Sequence, residues 1–448
     1  MNVLFLTPYI TDFTAYDLWL RPLGLLYLAS IVENHTDCRV LWLNPLDRFS
    51  GPGPFPPPGN SDGRGPFPRI IIESPQPFQS IPRTFARYGW PLESFNAKLD
   101  ALPEVDIIFM TTLMTYWIDG AVYTLNLLRK RYPDAYAVVG GILPTLMPDS
   151  CRREIPAHEY ISGHGESRIL ELIVRKGGRI RGETDFSDPD KLPYPADHFI
   201  GAGAPLPLMT SRGCPMNCTY CASSILHPTF RERRAGSVIS ELRSRIAESG
   251  TRTFVLFDDA LLINAEKRFL PIARAAAEME LCLHTPNGLH VSRINKETAR
   301  ALRFSGTRTL RLSLETTDPA IMARSSEKTN TRAMEHAVDH LLAAGYTHKD
   351  IEVYLLWGVP DQPLSSVHRA IDFVEKLGVV PRLADYSPVP GTRDFRGLAV
   401  SGVLGDPIDP RLTNKLFHMF RNSGYEEADI RATRTRCREI IQAIKTKS

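Results

Sequence analysis

Three cysteines within eight residues carry the first readable chemistry: Cys214, Cys218 and Cys221, spaced Cys-x3-Cys-x2-Cys. A 4Fe–4S cube has four irons, and thiolate is the usual ligand of each. With no fourth cysteine nearby, one iron is left open to a small molecule. Such a cluster can do chemistry as well as carry electrons. A structural zinc site wants four ligands, usually as two separated pairs. The nearest histidine, His227, lies six residues past Cys221 and has no partner at that spacing. A ferredoxin-type carrier would supply a fourth cysteine. Cys38, Cys151, Cys282 and Cys437 are scattered and read as ordinary thiols, in keeping with a reducing cytoplasm.

The run Leu208-Met-Thr-Ser-Arg-Gly-Cys-Pro-Met-Asn-Cys-Thr-Tyr-Cys221 resembles the signature of the radical S-adenosylmethionine enzymes. The resemblance implies a partial (β/α)6 barrel whose first loop binds the cluster. The fourth iron is then chelated by the amino and carboxylate groups of S-adenosylmethionine. It also places Tyr220 against the adenine. Further motifs follow in the expected order. Asp258 or Asp259, after a strand, is expected to meet the methionine ammonium, and Asn287 stands at the end of the next strand. Ser313 and Glu315 resemble the pair that meets the ribose and the methionine carboxylate. Gly358 and Pro388 lie in segments resembling those against adenine.

These residues need strands to carry them. At 448 residues, 43% hydrophobic and 23% charged, the chain has room for two or three domains. Its net charge of +3 makes no case for a nucleic-acid partner. No apolar stretch is long enough for a membrane-spanning helix. The first residues read as a strand rather than a signal peptide. The expected fold class is α/β throughout. A Rossmann-like parallel sheet (residues 1–185) is followed by a linker (186–206), the barrel (207–396) and a C-terminal helical region (397–448).

In the first domain the expected strands are Asn2–Thr7, Arg39–Asn44, Asp106–Thr111, Ala135–Gly140 and Glu159–Ser162, with helices at Leu23–Asn34 and Gly120–Arg131. An irregular insert over about 47–100 opens on a proline- and glycine-rich run at 51–59, which cannot pair regularly. Arg83, Arg87 and Tyr88 in its later half are expected to shape a substrate pocket. In the second half, strands are expected at Leu208–Ser211, Thr253–Phe257, Leu281–Thr285, Thr309–Ser313, Glu352–Leu356 and Arg382–Tyr386. Arg431, Arg434, Arg436 and Arg438 form a basic run that reads as a solvated face or as an attractor of acidic partners.

Ligands of open parallel sheets bind beyond the C-terminal strand ends. Gly140-Gly-Ile-Leu-Pro-Thr145 sits at one of these, and two glycines there permit a close backbone approach or a tight turn. Together with Tyr160-Ile-Ser-Gly-His-Gly-Glu166 and Leu192-Pro-Tyr-Pro-Ala-Asp197, it resembles the cobalamin-binding domain that precedes many radical S-adenosylmethionine domains. The residues this implies are Thr111, Thr112, Met114, Thr115, Tyr116, Gly140, Gly141, Thr145, Gly163 and Glu166. There is no Asp-x-His-x-x-Gly motif to supply a cobalt ligand, which implies a five-coordinate or water-ligated cobalt.

The function implied is a cobalamin-dependent C-methyltransferase acting on an unactivated carbon through a 5′-deoxyadenosyl radical. A low-potential donor such as flavodoxin or ferredoxin would supply the electron. Non-methylating chemistry on the same cofactors, a cobalamin-free radical enzyme and a non-catalytic iron–sulfur scaffold are the alternatives. The substrate is not legible.

Overall fold

The computed structural model describes residues 1–51, 61–182, 185–325 and 330–447. All but Gly51 of the 51–59 run therefore lies outside the described residues. The chain divides into two compact units: Met1–Leu206 with Asp406–Leu412, and Pro207–Gly405 with Thr413–Ser448.

The first unit is built on five strands, β1 (Asn2–Leu6), β2 (Arg39–Leu43), β3 (Ile107–Thr112), β4 (Tyr136–Gly141) and β5 (Glu159–Tyr160). Their order in space is β5-β4-β3-β1-β2, every neighbour parallel. This is a doubly wound sheet whose order reverses between β1 and β3, the place where such folds bind ligands. Val3, Leu4, Phe5 and Leu6 are fully buried, as a central parallel strand covered on both faces requires. The expected strands thus fall within a residue or two of those seen.

The insert corrects the expectation of an irregular segment. Arg69–Ile71 and Ala86–Tyr88 join Ile10–Asp12 in a three-stranded antiparallel sheet, and Leu92–Asp100 is a helix. The cause is its apolar content: Phe67, Phe78, Phe85, Tyr88 and Trp90 are all buried, and open loop could not cover them. Tyr88 donates its hydroxyl to the Phe13 carbonyl at 3.0 Å and belongs to a core cluster with Ile10 and Leu46. Arg87 lies over the rings of Tyr9 and Tyr123, at 5.2 and 4.5 Å. Both side chains are committed to packing.

Among the described residues, the second unit holds a seven-stranded sheet. Six of its strands run in chain order: β6 (Leu206–Leu208), β7 (Thr253–Leu256), β8 (Cys282–His284), β9 (Thr307–Glu315), β10 (Ile351–Trp357) and β11 (Val380–Asp385). From β7 to β11 every neighbour is parallel. Chain order without reversal is a singly wound sheet, with a helix on each return and all strand ends on one side. Local signals punctuate the helices. Gly250, at φ 70°, ends Ala235–Ser249, and Asn295 caps Lys296–Phe304 by accepting from Thr298 N at 2.9 Å.

The expected strand Leu208–Ser211 is broken. It ends at Leu208, and Ser211–Arg212 pairs antiparallel with Arg231–Glu232. These two short arms clip together the ends of the loop that carries the cysteines. The basic run of the last helix is not a free patch. Arg434 pairs with Asp385 at 3.0 Å, while Arg431 pairs with Glu427 and Arg436 with Asp372 and Glu375. No helix of the described residues is long and apolar enough to cross a membrane.

Candidate active site

A cavity of about 260 Å3 opens at the C-terminal ends of the second sheet. The three cysteines line it, with Tyr220, Asp259, Asn287, Ser313 and Glu315 from the expected set. Cys218 is buried, Cys214 half-buried and Cys221 exposed. Among the described residues no three His, Cys, Asp or Glu side chains converge as a single ion requires. The thiols instead share one cavity wall, which suits a multi-iron cube with one open corner.

The loop geometry is fixed by its own residues. Gly213 has φ +82°, and a Cβ there would lie 3.0 Å from His227 Cβ, so glycine is demanded where the loop leaves its first arm. Asn287 Nδ2 donates to the carbonyls of Phe257 and Asp258, at 3.3 and 3.1 Å, joining the loop after β8 to the end of β7. Gly288 packs so closely that a Cβ would reach 2.0 Å from Ser313 Oγ. Glu315 sits at φ +67° beside a register slip between β9 and β10. A non-glycine residue in that region stores strain, a pattern concentrated at functional sites.

The adjacent carboxylates Asp258 and Asp259 divide their work. Asp258 is buried and accepts from Thr210 N at 3.1 Å, Thr210 Oγ1 at 2.6 Å and Ser211 Oγ at 2.6 Å. It braces the turn into the cysteine loop and does not line the cavity. Asp259 does, and accepts from Ser223 Oγ at 2.6 Å. Of the two offered by the sequence, Asp259 is the one that faces the cavity. Gly358 and Pro388 are not among the lining residues. The Gly358 carbonyl instead accepts from His418 Nε2 at 2.7 Å.

Five lining residues escaped the sequence reading: Met216, Ser223, Gly288, Tyr354 and Ala384. For Tyr354 the signal was available. Burial alternates strictly along β10, with Glu352, Tyr354 and Leu356 on its half-buried face, and of these Tyr354 lines the cavity. Ser223, two residues past Cys221, and Gly288, next to Asn287, carried only proximity.

The residues present fit an iron–sulfur cube and S-adenosylmethionine. Three thiols and two carboxylates share one cavity, and the Tyr220 hydroxyl points to no partner although its oxygen is buried. Burial, then the Glu315 charge, pushes that phenol far above its ordinary pKa, so it stays neutral.

In the first unit, hydrogen bonds tie five of the cobalamin candidates together in pairs and threes: Thr112 with Gly140, and Thr145 with Gly141 and Gly163. Thr112 Oγ1 donates to the Gly140 carbonyl (2.9 Å) and accepts from Leu143 N (3.1 Å). Thr145 Oγ1 donates to the Gly141 carbonyl (2.7 Å) and accepts from Gly163 N (2.8 Å). Gly141 has φ +96°, and a Cβ there would lie 2.4 Å from the Thr112 carbonyl oxygen. The protein's own turn therefore accounts for this glycine. Thr115 and Tyr116 are buried, Met114 is exposed, and Glu166 starts the helix Glu166–Arg175 beside His164. Between β1 and β3 a crevice lined by Pro8, Tyr9, Thr112, Met114 and Trp117 has only about 10 Å3, roughly one water. At that size the crevice does not hold a nucleotide tail.

Residues 208–374 match the Radical SAM superfamily. The match takes in the cysteine loop and the strands β7 to β10. Over nearly its whole length the chain has the fold of TsrM from Kitasatospora setae, a radical S-adenosylmethionine methyltransferase solved with cobalamin and a 4Fe–4S cluster bound. The TM-score is 0.63 at 15% identity, covering 99% of this chain and 88% of that one. The chain is also 24% identical to an uncharacterized methyltransferase of Pyrococcus horikoshii, over 83% of its own length and 77% of the relative. It is 27% identical to an anaerobic magnesium-protoporphyrin IX monomethyl ester cyclase of Cereibacter sphaeroides, over 39% of this chain and 33% of that protein.

Proposed function

We propose that the protein is a cobalamin-dependent radical S-adenosylmethionine C-methyltransferase. The carrying observation is the single cavity that gathers Cys214, Cys218 and Cys221 with Asp259, Ser313 and Glu315. In this reading the first unit is the cobalamin domain and the second the catalytic one. The three thiolates hold the cube, and Asp259, oriented by Ser223, receives the methionine ammonium through a charge-assisted hydrogen bond. Ser313 and Glu315 meet the ribose and the methionine end. Tyr220 covers the adenine, and the apolar wall limits water. The rim of Thr111–Tyr116, Gly140, Gly141, Thr145, Gly163 and Glu166 supports cobalamin. When bound, the cluster and S-adenosylmethionine supply a one-electron route to an unactivated carbon, and cobalamin supplies a methyl carrier. The electron comes from a low-potential donor such as flavodoxin or ferredoxin, in the cytoplasm.

The test is anaerobic purification with cobalamin supplied, followed by iron and cobalt counts and assay of reduced enzyme for 5′-deoxyadenosine. Four irons and one cobalt per chain support the reading. A full cube without cobalt after reconstitution sinks the cobalamin assignment and leaves the cobalamin-free enzyme. Cys218→Ala should abolish the visible charge-transfer band; a band that survives fully refutes the ligand set. The cyclase likeness keeps one second reading open, non-methylating chemistry on the same cofactors. It is distinguished by 5′-deoxyadenosine formed without a methylated product.

A further inference from the structure

Beside the residues that line the catalytic cavity, the sheet carries positive charge that the proposed cofactor contacts do not use. Arg311 on β9, Glu352 on β10 and Arg382 on β11 form a cross-strand cluster. Glu352 accepts from Arg311 Nε at 3.2 Å and from Arg382 Nη2 at 2.5 Å. Two guanidiniums thus share one carboxylate, which leaves the cluster one positive charge in excess. Burial alone raises the Glu352 carboxyl, but the two arginines outweigh it and hold it below its ordinary pKa, so it stays ionised.

Each member of the cluster stands two residues before a residue that lines the cavity. Period-two alternation puts Arg311 on the side of Ser313, Glu352 on that of Tyr354 and Arg382 on that of Ala384, and all three of those neighbours line the cavity. Arg382 is also the register partner of Tyr354. The Arg382 Nε is buried without a hydrogen-bond partner, while the side chain as a whole is 35% exposed. β11 ends the strand order, so Arg382 stands on the edge strand of the sheet. The cavity is therefore polarised. Asp259 and Glu315 lie at the strand ends, and an under-neutralised arginine pair lies one to two layers below. A buried donor left over beside an excess charge is costly unless something accepts from it.

We propose that Arg382, positioned by Glu352, binds an oxyanion of the substrate, a carboxylate or a phosphonate, and so orients the carbon to be modified. This deepens the reading above by naming a substrate class. Guanidinium suits the role because its planar donor fork matches either oxyanion.

The test is calorimetric titration of the reconstituted holoenzyme with bound S-adenosylmethionine, using benzoate, phenylphosphonate and, as neutral control, benzamide. The acids should bind and benzamide should not. The stronger acid identifies the oxyanion. Arg382→Gln should weaken acid binding at least tenfold, with S-adenosylmethionine affinity unchanged, and Arg382→Lys should recover part of it. Glu352→Gln removes the shared carboxylate and should tighten acid binding, whereas a purely structural cluster predicts no gain. Equal binding of acid and amide, absence of acid binding up to 50 millimolar on the scale of a weak fragment, or an unchanged Arg382→Gln overturns the proposal. Competition between the acids and S-adenosylmethionine overturns it too, because the site then belongs to the cofactor. The same preparation is assayed for 5′-deoxyadenosine. Cleavage without acid binding defeats this inference alone, and no cleavage defeats the function.

Discussion

Ser223 Oγ donates to Asp259 Oδ2 at 2.6 Å, tying the residue two past Cys221 to the loop that ends β7. The cysteine loop and the second strand therefore share one hydrogen bond at the cavity wall. Asp259→Asn keeps the shape and removes the charge. S-adenosylmethionine affinity of the reconstituted enzyme should fall about tenfold or more, as for a lost charge-assisted bond. Ser223→Ala should give a smaller loss. An unchanged dissociation constant in Asp259→Asn counts against the ammonium contact.

The neighbouring carboxylate should behave differently. Asp258→Ala strips the acceptor from Thr210 and Ser211 and leaves Arg268, 3.9 Å away, without its buried partner. Breaking a buried charged network costs about 3–5 kcal/mol. Urea unfolding of Asp258→Ala should show that loss, while Asp259→Asn stays within about 1 kcal/mol of the parent. Similar stability for the two variants would refute the division of labour.

Gly141 and Gly177 both have positive φ, at +96° and +91°, but a Cβ on Gly177 meets nothing within 4 Å. Gly177→Ala should cost only the backbone strain, roughly 1–3 kcal/mol. Gly141→Ala adds a clash with the Thr112 carbonyl and should cost measurably more in the same denaturant titration. Equal costs would mean the rim yields easily.

His418 is buried, and burial holds its imidazole down at about 4, against a weaker upward pull from the Gly358 carbonyl. Its folded pKa lies below the unfolded one. The unfolded chain therefore binds the extra proton between about pH 6.5 and 4, and stability is lost as pH falls through that window. The loss reaches about 3 kcal/mol from this group. His418→Gln should flatten the stability-versus-pH curve between pH 7 and 4 relative to the parent; parallel curves would exclude the effect.

The strands and the cysteine loop were legible because their signals are local. Apolar runs such as Val3–Leu6 report burial on both faces, and Cys-x3-Cys-x2-Cys is a spacing within one loop. What was not legible depended on distant partners. Asp258 and Asp259 are chemically identical neighbours, and only the fold reveals that Thr210 and Ser211 consume one of them. The insert resembled loose chain because its strands pair with Ile10–Asp12, more than fifty residues earlier. Arg382 carried no motif, since its meaning comes from Glu352 and Tyr354 across the sheet. The basic run near Arg434 was ambiguous for the same reason: the acids that meet Arg434 and Arg436 lie on β11 and on the helix Leu364–Lys376.

The clip of Ser211–Arg212 against Arg231–Glu232 has a consequence for assembly. A segment whose ends are already held together does not need an inorganic guest to bring them together, and ring closure is the chief entropic cost of ordering it. Maturation of this protein then resembles loading a seated socket rather than folding around a seed. Oxidative loss of the guest should relax the cysteine segment while the sheet beneath it stands.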